Sequence, residues 1–410
     1  MPSLKIGLLS YRSDPFSGGQ GIYLKNVAEA LVQRNHEVTI YSAKPLPIVS
    51  SDVRIVEIDT PGYFETFDPL ERLNIFRSRT KNQMEILDFL DTFTGTFTEP
   101  IFFGERLLKN KDFQDNLDTF DIIHDNQSMS SYPETVRKKL VTTLHHPIHI
   151  DRDIDLSSES SFFAKLSIKR WYSFLNMQKK NLSKAPCIIS PSVSSKKDIQ
   201  KFFNIPEEKI KVIWNGIDLN DCKHQIREGF QPKFVTIISS DVPMKNLKTI
   251  IKAVHLLRNE VPEISLTIIG DLRGENKKLI EDLKLEKEII YLGKVDRPEL
   301  IKILNNSFIG ISASTYEGFG FPSVEMISTG LPVIVSNKAS LPELAGDAGL
   351  TFEPSSATDL KEKMLSVVNN VNLREELQQN SKLRRDDFFG WDEYAKKLEV
   401  LYQELISGHF

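Results

Sequence analysis

Twice along this chain, short apolar runs alternate with longer amphipathic stretches, and that alternation restricts the fold more than any other feature. KIGLLS (Lys5–Ser10) reads as a buried strand, GGQG follows, a helical pattern runs over 22–34, and HEVTIYS at 36–42 is the next strand. Strand, glycine-rich loop, helix, strand opens a doubly wound α/β domain. Further strands are expected at 54–58, 121–125, 140–145, Cys187–Ser190 and 211–214. A second series begins after Asp218, with five apolar runs at 234–239, 266–271, 289–295, 309–314 and 332–336. The helical patterns between them have βαβ length. The fold class expected is therefore α/β, with two Rossmann-like, doubly wound domains.

The expected division is an N-terminal domain over 1–218, a second domain over 219–390, and a C-terminal helix over 391–410 that packs back on the first. The stretch 216–232 is polar with broken periodicity and reads as the hinge. A chain of 410 residues at about 150 per domain allows two or three such units. Hydrophobic residues are 40% and charged residues 26%, a globular balance that excludes extended disorder. A net charge of −4 argues against nucleic acid as a partner. Cys187 and Cys222 are the only cysteines, too few for a disulfide framework or a cysteine-based zinc site. The start lacks a signal peptide's long apolar core, and the run at 6–9 is too short to span a membrane. A cytoplasmic protein is expected.

Two regions depart from the alternation. The stretch 64–103 holds eight of the 25 phenylalanines and is too long for a plain connection, so helices and a lid are expected there. The stretch 165–201 carries nine Lys/Arg and one acid, interleaved with Trp171, Tyr172 and Phe174. It reads as a solvated helix face, or as a peripheral contact with an anionic membrane at its inner face.

The chemistry concentrates in TYEGFGFPSVEMISTGLPVI. Glu317 and Glu325 are separated by seven residues, with GFGFP between them, after an apolar strand. Pro322 suits a helix's first turn, which puts Glu317 in the loop and Glu325 inside that turn. The glycines leave backbone N–H groups open to a phosphate or a hydroxyl, and the helix N-terminus favours an anion. Carboxylates accept hydrogen bonds from vicinal hydroxyls. Two carboxylates flanking an anion-binding turn match a nucleotide-sugar.

This segment resembles the E-x7-E signature of retaining glycosyltransferases of family 4, which have the GT-B fold. Other motifs resemble the family's in its order: GGQG (18–21), VTTLHHP (141–147), WNGID (214–218), VPMKN (242–246), IIYLGKV (289–295) and the terminal GWDEYAKKLEVLY. The resemblance implies two domains facing a cleft that closes over the substrates, and metal-independent hexosyl transfer from a UDP- or GDP-sugar to a glycolipid precursor, polysaccharide or small polyol. No cofactor is implied beyond the donor itself. Glu317, His145 and Lys245 would be catalytic. Glu317 would hold the donor sugar, Lys245 the diphosphate, Glu325 the ribose. Gly18, Gly19, Ser240, Gly318, Phe319, Gly320 and Val295 would complete the donor site. The family places an Arg where this chain has Ser240, and Arg152 or Arg273 would substitute for it. His124, Asp125 and Asn126 end a strand on the expected cleft edge, where they would be structural or would meet the acceptor. His145, His146 and His149 do not form a metal set, because Pro147 interrupts them and no further ligand completes it. Asp151–Arg152–Asp153–Ile154–Asp155 is expected in a polar loop near the acceptor. The alternatives are another GT-B enzyme, such as a nucleotide-sugar epimerase or a phosphorylase, and a non-catalytic sugar-nucleotide binder. The glycines at 18, 19 and 21 miss the dinucleotide spacing, which disfavours an oxidoreductase.

Overall fold

The computed structural model describes residues 2–14, 19–220, 222, 227 and 229–408. Among them lie thirteen strands: β1 Lys5–Ser10, β2 Glu37–Ser42, β3 Arg54–Glu57, β4 Ile122–Asn126, β5 Leu140–Thr143, β6 Cys187–Ser190, β7 Ile210–Val212, β8 Lys233–Ile238, β9 Ser265–Gly270, β10 Ile289–Gly293, β11 Ile309–Ser312, β12 Val333–Ser336 and β13 Gly349–Phe352. The first seven form one sheet, ordered β3-β2-β1-β4-β5-β6-β7, and the last six another, ordered β10-β9-β8-β11-β12-β13. Every described pairing is parallel.

Parallel strands need helical crossovers, and the helices cover both faces of each sheet. In the second sheet, Phe234 and Ile238 of β8 point into one core with Leu266 and Ile268 of β9. Val235 of β8 and Ile269 of β9 point into the other, with Val324, Ile327 and Leu341. This two-sided burial is why the strands read as unbroken apolar runs. Each sheet also reverses its order beside its first strand, between β1 and β4 and between β8 and β11. In open α/β sheets, ligands bind beyond the strand C-termini at such a reversal.

The chain divides into two compact units. Unit 1 comprises 1–191, 196–213 and 392–410, and unit 2 comprises 192–195 and 214–391. The final helix, Trp391–Ile406, buries Tyr394, Ala395, Leu398, Leu401 and Tyr402 at helical spacing. It is pinned within unit 1 by Glu399, which accepts from Arg34 Nε at 2.6 Å and pairs with His36 Nε2 at 2.8 Å. Removing one partner of such a buried cluster costs about 3–5 kcal/mol.

The stretch 64–103 contributes three helices, Pro69–Ser78, Gln83–Phe93 and Glu99–Lys109. Its aromatics pack largely on one another and on the unit's own core. Phe76 stacks on Phe89 at 4.2 Å, and Phe97 stacks on Trp171 at 5.0 Å. The basic stretch 165–201 is no single face, because it is divided among several helices and β6.

Candidate functional site

The two loops leaving β8 and β11, at the reversal of the second sheet, bring Lys245 and Glu317 together. Lys245 closes a short 3-10 turn, Pro243–Lys245, and Asn246 follows in the left-handed region at φ 51°. That bend is held by Asn246 Nδ2, which donates to the carbonyls of Ala313 (3.2 Å) and Pro354 (2.8 Å). A backbone bond from Thr315 N–H to the Met244 carbonyl, at 2.8 Å, ties the loops together. Lys245 Nζ then donates to Glu317 Oε1 at 2.6 Å, and Ser314 Oγ donates to the same oxygen at 2.7 Å.

Between Glu317 and the helix Phe321–Ser328, every carbonyl is tied down. Ser340 Oγ donates to the carbonyls of Glu317 (2.9 Å) and Phe319 (2.7 Å), and Ser192 and Ser195 donate to that of Gly318 (2.7 and 3.0 Å). The N–H groups of Gly318, Phe319 and Gly320 have no acceptor among the described residues. Gly320 caps the helix at φ 101°, a conformation that a side chain would strain, and Leu341 lies 3.0 Å from where its Cβ would stand. Three uncommitted donors at a helix N-terminus beside a lysine make an anion site.

Glu325 is the fifth residue of the helix Phe321–Ser328, just past the first turn in which it was expected. Its carboxylate is mostly buried and paired with Arg297. Burial raises the Glu325 pKa above the ordinary carboxylate value, and the guanidinium opposes that shift. Arg297 Nη2 also donates to the Asp218 carbonyl at 3.3 Å. Sequence reasoning missed Arg297. A signal was present: Asp296 and Glu299 form a helix-capping spacing just past β10, and Asp296 does accept from Glu299 N–H at 3.0 Å. Val295 lies in the same loop, half-buried against the unit's core.

Ser240 follows β8, and Asp241 beside it is buried. Asp241 accepts from Arg273 N–H at 2.9 Å and from Asn276 Nδ2 at 2.8 Å, which draws Arg273 to the Ser240 loop. Arg152 belongs to unit 1, where its guanidinium pairs with Asp153 at 2.8 Å. The run 151–155, expected as a loop, lies in the helix His149–Ser158. Pro147, just ahead of it, is a helix-start signal that its acidic composition masked.

In unit 1, His145 follows β5. Its N–H donates to Gln127 Oε1 at 2.7 Å, and its Nε2 meets Asn126 Oδ1 at 2.8 Å. Asn126 Nδ2 donates to the Gln20 carbonyl at 3.2 Å, so Oδ1 accepts and His145 carries its proton on Nε2. Burial lowers the His145 pKa to about 3, reinforced by His146 and His124, so the ring is neutral with Nδ1 as its lone-pair atom. Tyr23 packs edge-on against it at 4.7 Å and bonds Thr143 and Tyr394. His124 is a structural member of this network, bonded to Thr143 (2.7 Å) and Tyr402 (2.6 Å). Asp125 accepts from Met129 N–H at 2.8 Å and holds the following turn. His149 stacks on Phe202 and stands apart from any ligand set. Among the described residues, no cluster of His, Cys, Asp and Glu could hold a metal ion.

Gly19 opens the helix Gly19–Gln33, and Gly18 lies outside the described residues. The glycine that geometry demands is Gly21, where a Cβ would meet the Asp14 carbonyl oxygen at 2.0 Å.

Two parallel sheets, each reversing its strand order beside its first strand, form the GT-B architecture of glycosyltransferases. Residues 17–221 match the model for "Glycosyltransferase Family 4", and residues 222–384 match "Glycosyl transferases group 1". The chain belongs to glycosyltransferase family 4. It is 29% identical to an "MMP alpha-(1->4)-mannosyltransferase" of Mycolicibacterium hassiacum, over 98% of this chain and 99% of that one. Among solved structures, a sucrose-phosphate synthase from Thermosynechococcus elongatus superposes with a TM-score of 0.71 at 18% identity, covering 99% of this chain and 100% of that one. Anabaena HepE, solved in complex with UDP and glucose, matches with a TM-score of 0.63 at 17% identity, covering 98% and 99%.

Proposed function

We propose that this chain is a retaining hexosyltransferase that moves a sugar from a nucleoside-diphosphate donor to a hydroxyl acceptor. The observation that carries the reading is the Lys245–Glu317 pair, 2.6 Å apart, beside the three uncommitted N–H groups. Donor binding exchanges that internal pair for two new ones. Glu317 turns to the hydroxyls of the donor sugar, and Lys245 to the diphosphate, whose charge grows as it leaves. The N–H groups of Gly318–Gly320 complete the phosphate cradle. Glu325, oriented by Arg297, takes the ribose hydroxyls. Arg273 stands in for the arginine expected at Ser240.

His145 on unit 1 acts as a neutral group beside the reacting carbon. The acceptor oxygen bonds the anomeric carbon on the face from which the diphosphate leaves. The bond from that carbon to phosphate oxygen breaks, and the acceptor's proton passes to the leaving phosphate. Lys245 supplies the charge stabilisation, so EDTA should leave the rate unchanged.

Mannosyl donors carrying UDP or GDP are the first to test, because the mycobacterial relative is named a mannosyltransferase and Anabaena HepE was solved with UDP. A thermal-shift screen of nucleoside diphosphates and their sugars should show a raised midpoint for the true donor. Nucleoside diphosphate release that depends on a hydroxyl acceptor should accompany it. The reading fails if no such compound raises the midpoint, or if Glu317→Ala keeps full transfer.

A contact with anionic membrane is a separate proposal for unit 1. No described helix is long and apolar enough to cross a membrane. The helix Phe162–Trp171 exposes Phe162 (75%) and Phe163 (80%) beside Lys169 and Arg170. Arg170 donates to the Thr94 carbonyl at 3.2 Å, at the end of Gln83–Phe93, which itself exposes Ile86, Leu87, Leu90 and Phe93. Co-sedimentation with anionic vesicles at low salt tests this, and absence of binding removes it.

A further inference from the structure

One polar cluster of unit 1 takes no part in the chemistry above. Arg12 follows β1, Glu99 opens the helix Glu99–Lys109, and Asp151 lies in the first turn of His149–Ser158. Arg12 Nη2 donates to Glu99 Oε1 at 3.0 Å, and His146 Nε2 meets Asp151 Oδ2 at 2.9 Å. Each carboxylate leaves its other oxygen buried without a partner among the described residues, as does Arg12 at Nε. Gln127, wholly buried and bonded to the His145 N–H, likewise leaves its Nε2 unpartnered. Tyr11, partly buried beside them, has its phenol pushed up to about 12 by desolvation and by both carboxylates.

A buried polar atom left unsatisfied costs about 1–3 kcal/mol, and native proteins hold few of them. Here there are four: Arg12, Gln127 and Asp151 lie in the segments that follow β1, β4 and β5 at the reversal of the first sheet, and Glu99 is bonded to Arg12. Two of the atoms accept and two donate. A sugar hydroxyl does both, so the hydroxyls of a saccharide match both kinds of atom. A phosphate or carboxylate only accepts, and it would face two carboxylates of its own charge, with Arg12 already engaged by Glu99. Burial also raises the Glu99 pKa to about 7, against the pull of Arg12, so this carboxyl can donate as well as accept near neutrality.

We propose that Arg12, Glu99 and Asp151 bind the acceptor, and that the acceptor is an uncharged saccharide rather than a phosphorylated one. The inference rests on the hexosyltransferase reading. The test is calorimetry on the full chain with mannotriose, maltotriose and mannose 6-phosphate as probes. A thermal shift with nucleoside diphosphate serves as an independent readout of the donor site. A neutral probe should bind more tightly than mannose 6-phosphate. Glu99→Ala and Asp151→Ala should each weaken it about tenfold, the scale of one lost charge-assisted hydrogen bond, with the donor shift unchanged. If either variant loses the donor shift through misfolding, the isosteric Asp151→Asn replaces it, with a loss of about fivefold expected. Binding that survives these substitutions overturns the inference. So does tighter binding of the phosphosugar, or failure of both neutral probes to bind the unaltered chain. Absence of the donor shift in the unaltered chain would instead overturn the reading on which it rests.

Discussion

At the C-terminal edge of the first sheet the histidines that follow β4 and β5 meet neutral partners, His145 with Asn126 and His124 with Thr143 and Tyr402, although Arg12 and Glu99 pair there as ions. At the corresponding edge of the second sheet they meet as ions, Lys245 with Glu317 and Arg297 with Glu325. The two units share one topology and differ in what their edges can hold. An ion pair can be exchanged for a charged ligand at little electrostatic cost, because each partner finds a new counter-charge. A neutral buried network offers no such exchange, but it orients hydroxyls and holds a fixed tautomer. The contrast fits a diphosphate on unit 2 and a neutral, oriented His145 on unit 1.

The strongest way to break the comparison is Glu317→Ala, which should lower turnover by about 10³-fold or more. Nucleoside diphosphate release with donor and acceptor present measures it. Lys245→Ala should follow closely, at about 10²–10³-fold. Next in size is His145→Gln on unit 1, with a loss in kcat of about 10²-fold. Here the donor-induced midpoint shift should match the unaltered chain, because the residue lies outside the ionic edge. A lost shift would blur the division between the units. Arg297→Gln strands a buried carboxylate and should raise the donor KM about tenfold, with kcat changed much less. A parallel fall in kcat would mean that the pair does more than hold the donor.

Two smaller effects concern unit 1. Tyr23→Phe removes the hydroxyl shared by Thr143 and Tyr394 and should cost about 1–2 kcal/mol in denaturant unfolding. The last concerns pH. The Glu99 pKa is raised on folding to about 7, from an ordinary 4.5, so the folded state binds its proton more tightly. Its contribution to stability is full below pH 4.5 and is lost as pH rises through 7. Relative to Glu99→Gln, the unaltered chain should therefore lose on the order of 1–3 kcal/mol between pH 4.5 and 8. A difference that stays flat across that range would mean that Glu99 is not buried.

Much of this was legible in order. The strands of both sheets follow their apolar runs to within a few residues, and the final helix spans Trp391–Ile406 as its periodicity predicts. The sixth strand of the second sheet, Gly349–Phe352, escaped because a glycine and a threonine dilute its four residues. The acidic run 151–155 looked like a loop because composition outweighed a weak helical period. Glu317, Glu325 and Lys245 stood out because their motifs are local.

What the sequence by itself determined is the alternation, and with it two parallel sheets and the loops that hold Lys245 and Glu317. Periodicity and turn residues act over a few positions, so they survive in a linear reading. Only the tertiary structure decided the partners. Arg297 reaches Glu325 across 28 positions, and Arg12 reaches Glu99 across 87. Such pairs form because the fold brings together loops and helix starts that lie far apart in the chain. No local propensity encodes which charge will be waiting there.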